Sequence, residues 1–375
     1  MTNHTFKTLA ALLLFTALAH NTATPQAHNA SSASERRLDV SSATTAAVTN
    51  ELAVGRSIEA DMAFLASDEL HGRGSATRDE HLAALYTASQ FQAIGLEPAG
   101  DDGTYIQKSP VPDISQLPEG FRQYWEKFQK IERKETWNTI AILPGTDPKL
   151  RAQAILLTAH QDHLGIGPDV SGDSIYNGAD DDASGTSAVL ELARMLTRGK
   201  PPRRTIIFAL FGSEEMGGYG NRAFLADPPV PIKDIVANLE FEMIGRPDPA
   251  VAAGMLWLTG YERSNLGPEL ARHGAHLVAD PHPKENFFQR SDNYALARKG
   301  IVAQTVSSFG LHKDYHQPSD DLSHIDFAYM TQAITSMIGP VRWLADSTFK
   351  PSWNPGGQPK PAPAATEGKP AVTAQ

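Results

Sequence analysis

The sequence predicts an α/β fold: a mostly parallel central sheet flanked by helices. Three observations lead there. Short, continuously apolar runs recur through the middle of the chain: AQAILLTA from Ala152, TIIFALF from Thr205 and IVANLEF from Ile235. Such runs suit strands buried on both faces. A helical pattern, SGTSAVLELARMLTR from Ser184, separates the first two, and strands separated by helices build parallel sheets. Each apolar run also leads into carboxylates or histidines, and sheets of this kind bind ligands beyond the carboxyl ends of their strands.

Taken in order, the chain opens with MTNHTFKTLAALLLFTALAHNTATPQA. Lys7 precedes an apolar run from Leu9 to Ala19, followed by small residues. This is the pattern of a secretory signal peptide, expected over residues 1–27, and the run is too short for a permanent membrane anchor. Export to the periplasm or the medium is expected, with no membrane attachment after cleavage. Residues 28–50 are rich in Ala, Ser and Thr and read as a flexible linker. Residues 51–349 read as one ordered catalytic domain. Residues 350–375, dense in Pro, Gly and Ala, read as a disordered tail.

Within the domain, Ser184 suits a helix N-cap. Val189, Leu192, Met195 and Leu196 share a face, and Gly199 and Pro201 end the helix. WLTG at Trp257 and GIVAQTV at Gly300 add candidate strands. Aromatic residues between Val111 and Trp137 (Phe121, Tyr124, Trp125, Phe128) suggest a helical cap over the cleft.

Composition narrows the chemistry. The 375 residues carry a formal net charge of -10, which disfavours a nucleic-acid partner because phosphate binding needs basic surface. There is no cysteine, so any metal must be held by His, Asp or Glu. The sequence carries no signature of oligomeric state.

The polar strand ends supply those residues. His160 and Asp162 stand two apart in AHQDHLG, on one face of an extended segment. One imidazole nitrogen can then ligate while the carboxylate accepts a hydrogen bond from the other nitrogen or from a neighbouring ligand. Glu214 and Glu215 are adjacent in GSEEMGG, so one can ligate and the other handle the proton of a bound water. Glu242 ends an apolar strand, with Glu240 the weaker candidate beside it. His316 lies in DYHQPSDD next to Tyr315. NGADDDASG crowds three aspartates between residues with little side chain. Each fragment alone also fits a bland role: a polar turn, a structural His–Asp pair, or acids at a helix start. Together they make a nitrogen–oxygen site suited to zinc. Asp181, Glu215, Glu242 and one hydroxide would neutralise two divalent ions.

These motifs, in this order, resemble the zinc aminopeptidase family numbered twenty-eight among metallopeptidases, to which glutamate carboxypeptidases and glutaminyl cyclases are related. The resemblance extends to FLASDELHGRGS near Phe64, TIAILPGTDP near Thr139 and QRSDNYALARKGI near Gln289. It implies that His160 ligates one of two zinc ions, with Asp162 orienting. Asp181 bridges the ions and is followed by a cis peptide. Glu214 is the general base and acid. Glu215 and Glu242 ligate, His316 completes the set of ligands of the second metal, and Tyr315 donates to the oxyanion. Asp180 and Asp182 are expected to orient or turn the loop. Gly178, Ala179, Ala183 and Gly185 are expected to leave room for metals and substrate.

Two positions depart from the family pattern: many relatives have Asp at Glu242, and many read SDH where this chain has Ser291-Asp292-Asn293. The implied activity is hydrolysis of the first peptide bond of peptides with a free N-terminus by a water activated between the metals. The same fold also serves carboxypeptidases, dipeptidases and glutaminyl cyclase-like transferases. The first two need a cationic clamp, for which Arg290 and Arg246 are candidates.

Overall fold

The alternation of residues along the apolar runs explains why they sit in the middle of a sheet. In β4 (Ala154–His160), Ile155, Leu157 and Ala159 join one hydrophobic cluster while Ala154 and Leu156 join another on the opposite face. β7 (Thr205–Phe211) divides likewise, with Ile206, Phe208 and Leu210 on one side and Ile207, Ala209 and Phe211 on the other. Each fully buried side chain of this size contributes roughly 1.5–3 kcal/mol relative to exposure, so such segments are held at the sheet centre.

The computed structural model describes residues 52–361. Nine strands form one mixed sheet in the order β1-β3-β7-β4-β8-β11-β9-β10, with β2 paired to β3. The remaining members are β1 (Glu97–Pro98), β2 (Ile106–Pro110), β3 (Glu135–Leu143), β8 (Ile235–Phe241), β9 (Leu256–Leu258), β10 (Leu277–Ala279) and β11 (Val302–Ser307). β4 pairs in parallel with both β7 and β8, and β8 with β11. β3 runs antiparallel to β7, and β9 antiparallel to β11. A separate hairpin joins β5 (Gly165–Val170) to β6 (Asp173–Tyr176).

Helices cover both faces. The residues of α1 (52–65), α2 (Arg78–Ile94), α4 (Gly185–Leu196), α6 (Leu266–Arg272) and α8 (Phe327–Asp346) pack into one cluster. α5 (Tyr219–Ala226) and α7 (Asn293–Arg298) pack into the other through Phe224, Leu296 and Ala297. α3 (Glu119–Trp125) belongs to the expected cap: Trp125 and Phe128 are buried against Leu164, Tyr176 and Met216. The fold is the α/β class expected.

Some local expectations differ. Ser184 is not a capping residue: its backbone is already helical, and its hydroxyl donates to the Asp180 carbonyl at 2.7 Å and accepts from Ile244 N at 3.0 Å. The turn over Ala179–Ser184 leaves helical geometry at Asp181 and Asp182, and the backbone is helical again by Ser184, which therefore lacks the extended conformation of an N-cap. Residues 350–361, expected to belong to a disordered tail, pack against the domain in part. Trp353 packs against the domain and its indole donates to the Gly300 carbonyl, while Asn354 binds backbone at Glu262 and Arg263. Proline and glycine do not prevent order where an indole has a groove to fill. The expected signal peptide, the linker and residues 362–375 lie outside the described residues. Among the described residues, no helix is long and apolar enough to cross a membrane.

Candidate metal centre

The four parallel strands β7, β4, β8 and β11 end on the same edge of the sheet, and that edge collects the predicted residues. His160 is the last residue of β4, with Asp162 and His163 just beyond it. Glu214 and Glu215 follow β7, and Glu242 follows β8. Tyr315 and His316 come from the loop after β11, and Asp181 from the turn before α4.

Asp181 lies at the middle. Its Oδ1 is 3.1 Å from His160 Nε2, and its Oδ2 is 3.1 Å from His316 Nε2. Glu215 Oε2 stands 3.3 Å from the same His316 nitrogen. Two groups of convergent donors result, sharing Asp181: His160 with Glu242, and Glu215 with His163, each with donor atoms within 4.8 Å of one another. His316 adjoins the second group. The peptide bond between Asp181 and Asp182 is cis.

His163 was missed by sequence reasoning, although it stands three residues after His160 in AHQDHLG. It is fully buried, and neither ring nitrogen has a hydrogen-bond partner. Its Nδ1 lies 2.8 Å from Glu215 Oε1, yet that oxygen is also without a hydrogen bond, as is His316 Nε2. Buried polar atoms are rarely left unpaired. A cation among these nitrogens and carboxylates would satisfy them together, and the donor set suits zinc.

The supports around the donors explain the acidic crowding. Asp320 accepts the backbone N–H of both Asp180 and Asp181 at 3.0 Å. Asp180 accepts from Gly245 N and contacts His312 Nε2 at 2.9 Å. Asp182 accepts from the backbone N–H of Gly185, Met243 and His160. Both flanking aspartates therefore hold the loop, as expected. The glycines make room for the protein itself rather than for metals. A Cβ on Gly185 would lie 2.0 Å from the Phe241 carbonyl oxygen, and one on Gly178 would lie 2.5 Å from the His163 ring. Arg73, fully buried, donates to the carbonyls of Leu65, Gln161, Asn177 and Gly178. Tyr124 of the cap meets His316 Nδ1 at 3.2 Å.

Asp162 has two expected partners for its carboxylate, His160 and a neighbouring ligand. Its carbonyl, not its carboxylate, takes the near contact with His160 Nδ1 at 3.2 Å; the carboxylate is 3.7 Å away. The carboxylate instead accepts from Ser75 Oγ at 2.5 Å and from the backbone N–H of Glu214 at 3.0 Å and Glu215 at 3.4 Å. One aspartate thus ties the β4 end to the glutamate pair. Glu240 stays out of the centre, accepting from Asn293 N and Thr305 Oγ1. Asn293 donates its amide to the Phe288 carbonyl, a structural contact. Tyr315 stacks on His316 at 3.9 Å between ring centroids and borders a small cavity with Glu242.

The electrostatics split the acids. Burial pushes Asp181 up but is outweighed by His160 and His316, which leave it well below the ordinary carboxylate range. Burial is likewise outweighed at Glu215, where His316 dominates and brings the group to about 2. Glu214 goes the other way: burial raises it well above its ordinary value, with Asp292, Glu215 and Glu242 adding to the effect. Glu242 is pushed up to about 8 by burial and by Glu240. Burial lowers His316, but Glu215 and Asp181 bring it up to about 10.

Converging imidazoles and carboxylates, with one further buried carboxyl next to them in the chain, make a site at the carboxyl edge of a parallel sheet that could hold metal ions, as in zinc exopeptidases. The fold agrees. A zinc aminopeptidase from Bacillus subtilis superposes with a TM-score of 0.58 at 17% identity, over 79% of this chain and 96% of that one. The LapA aminopeptidase of Legionella pneumophila gives 0.54 at 19%, over 79% and 70%. A profile of peptidase family M28 matches residues 138–339. Leucine aminopeptidase 1 of Aspergillus oryzae is 31% identical over 290 residues, 72% of this chain and 70% of that protein. The namesake from Sclerotinia sclerotiorum is 26% identical over 227 residues, and the chain spans 57% of its length. The chain belongs to peptidase family M28.

Proposed function

We propose that this protein is an exported zinc aminopeptidase that removes the first residue of peptides with a free N-terminus. The observation that carries the reading is the position of Asp181, whose two oxygens face separate donor groups, while Glu214, next to Glu215 in the chain and held by Asp162, belongs to neither group. His160, Asp181 and Glu242 would hold one ion. Asp181, Glu215 and His316, with His163 against them, would hold the other. Bound there, zinc supplies Lewis acidity to a peptide carbonyl and a water of lowered pKa.

The protein's own groups do the rest. Glu214, kept proton-avid by burial, takes the proton of the attacking water and returns it to the leaving amine. Asp162 fixes where Glu214 sits through its backbone N–H. Tyr315, which lines the same small cavity as Glu242, would donate to the developing oxyanion. Glu242 is also available to the substrate's ammonium group, which is why a free N-terminus is expected. Export rests on the pattern of residues 1–27 and predicts that the mature protein starts between residues 20 and 28.

The direct test uses zinc-loaded protein and one short peptide, with its N-terminus free and then acetylated. Release of the first residue from the free form alone is expected. Equal cleavage of both forms, or of neither, would remove the aminopeptidase reading. Edman sequencing of protein recovered from the medium or periplasm checks export.

A further inference from the structure

A cavity of about 580 Å³ opens beside Glu214, far larger than the cavity of about 30 Å³ beside Glu242 and Tyr315. On the proposed aminopeptidase reading, the two have different occupants. Glu214 returns its proton to the leaving amine, so the leaving part of the peptide lies on Glu214's side, in the larger cavity. The N-terminal residue is left with the smaller one.

The larger cavity is lined by apolar residues of the cap, including Leu117 and Phe121, and by three arginines, Arg222, Arg290 and Arg298. Their guanidinium groups lie over aromatic rings: Arg222 on Tyr219 at 4.8 Å, Arg290 on Phe287 at 5.0 Å and Arg298 on Tyr294 at 5.7 Å. The rings orient these cations without neutralising them. Among the described residues none of the three forms an ion pair with a carboxylate, and Arg298 Nε is buried with no hydrogen-bond partner. Arg246, the other cation the sequence suggested as a clamp, is by contrast paired with Asp314 at 2.9 Å. The acids on the cavity wall are Glu214 and Asp292. Three cations against two acids leave the wall positive even with both acids ionised.

We propose that this cavity binds a carboxylate on the leaving part of the substrate. Guanidinium groups pair with carboxylates through parallel charge-assisted hydrogen bonds, and a partly enclosed wall strengthens them. Two sources offer that group: the α-carboxylate of a dipeptide, or an acidic side chain at the second residue of a longer one.

The test measures kcat/KM of the zinc-loaded full chain on two matched pairs, Ala-Ala against Ala-Ala-amide and Ala-Glu-amide against Ala-Gln-amide. The carboxylate-bearing member of at least one pair is expected to be favoured about tenfold or more, through KM. A preference in the first pair identifies the α-carboxylate, and one in the second identifies the side chain. Arg222→Gln, at an exposed position, should shrink the ratio, whereas Arg298→Lys, which keeps the charge, should retain most of it. Cleavage of all four peptides with both ratios within about twofold would overturn the carboxylate site and leave the aminopeptidase reading standing. Failure to release alanine from any of them would overturn both.

Discussion

Asp162 shows how much a single buried side chain can coordinate. Its carboxylate receives Ser75 and two successive backbone N–H groups of the glutamate pair, so Glu214 and Glu215 are both held by an acid from another strand. Among the described residues, the Glu214 side chain forms no ion pair or hydrogen bond with the candidate ligands, while its backbone N–H is held by Asp162, which suits a group proposed to move protons. Replacing it by Gln removes proton transfer while conserving shape. Glu214→Gln is therefore expected to bind zinc at the wild-type stoichiometry and to lose about 10²–10⁴-fold in kcat. Near-normal turnover would exclude the role. His163 has two unpartnered nitrogens, and one of them, Nδ1, lies 2.8 Å from Glu215 Oε1. His163→Ala is expected to weaken zinc binding about 10–100-fold, read by competition with a coloured chelator. Unchanged affinity would make His163 a packing residue.

At the scale of elements, the strand ends and the turns after them set the geometry. Ser213 after β7 and Met243 after β8 both take left-handed backbone, at φ 51° and 52°, as does His316 at φ 56°. Conformations of this kind persist where their surroundings over-determine them. At Ser213 the surroundings include Glu80 of α2, which accepts the Ser213 hydroxyl at 2.9 Å, Thr136 Oγ1 at 2.6 Å and the backbone N–H of Ala76 and Trp137. The start of α4 is equally tight. Gly185→Ala would set a methyl 2.0 Å from the Phe241 carbonyl and 2.4 Å from Asp182 Oδ1, both backing the metal centre. Backbone must shift to admit it. A loss of about 1–3 kcal/mol in urea unfolding is expected, together with weaker zinc binding. Wild-type stability in that variant would mean the loop is looser than its contacts imply.

For the whole molecule, the centre is both the site and a liability. Asp162, Asp180, Asp181, Asp182, Glu214 and Glu215 are all buried at one edge of the sheet. Like charges in that setting repel unless cations intervene. A zinc ion present at a thousandfold excess over its Kd stabilises the folded state by about 4 kcal/mol. Chelation should therefore lower Tm by on the order of 10 °C for a domain of this size, and readdition of zinc should restore it. A melting curve indifferent to chelator would count against a metal in this edge.

The sheet was legible because its signal is local: apolar runs of seven or eight residues, punctuated by turn formers, follow from burial of both strand faces. The predicted donors were legible for a related reason, since charge at the end of a buried strand needs a partner and the family resemblance ordered the fragments. Arg290 was legible as a candidate clamp, but His163, Asp320, Glu80 and the grouping of Arg222 and Arg298 with Arg290 were not. Each takes its meaning from a neighbour far along the chain: His163 from Glu215, Asp320 from Asp180, Glu80 from Ser213, Arg222 from the Arg290 and Arg298 with which it shares a cavity wall. Composition and pattern determined the α/β class and the residue types able to hold a metal. Only the tertiary structure decided which acids converge, which merely hold the loop, and that the Asp162 carboxylate serves the glutamates rather than His160. Hydrogen bonds and ion contacts depend on ångström distances between strands, and a linear sequence carries no such distances.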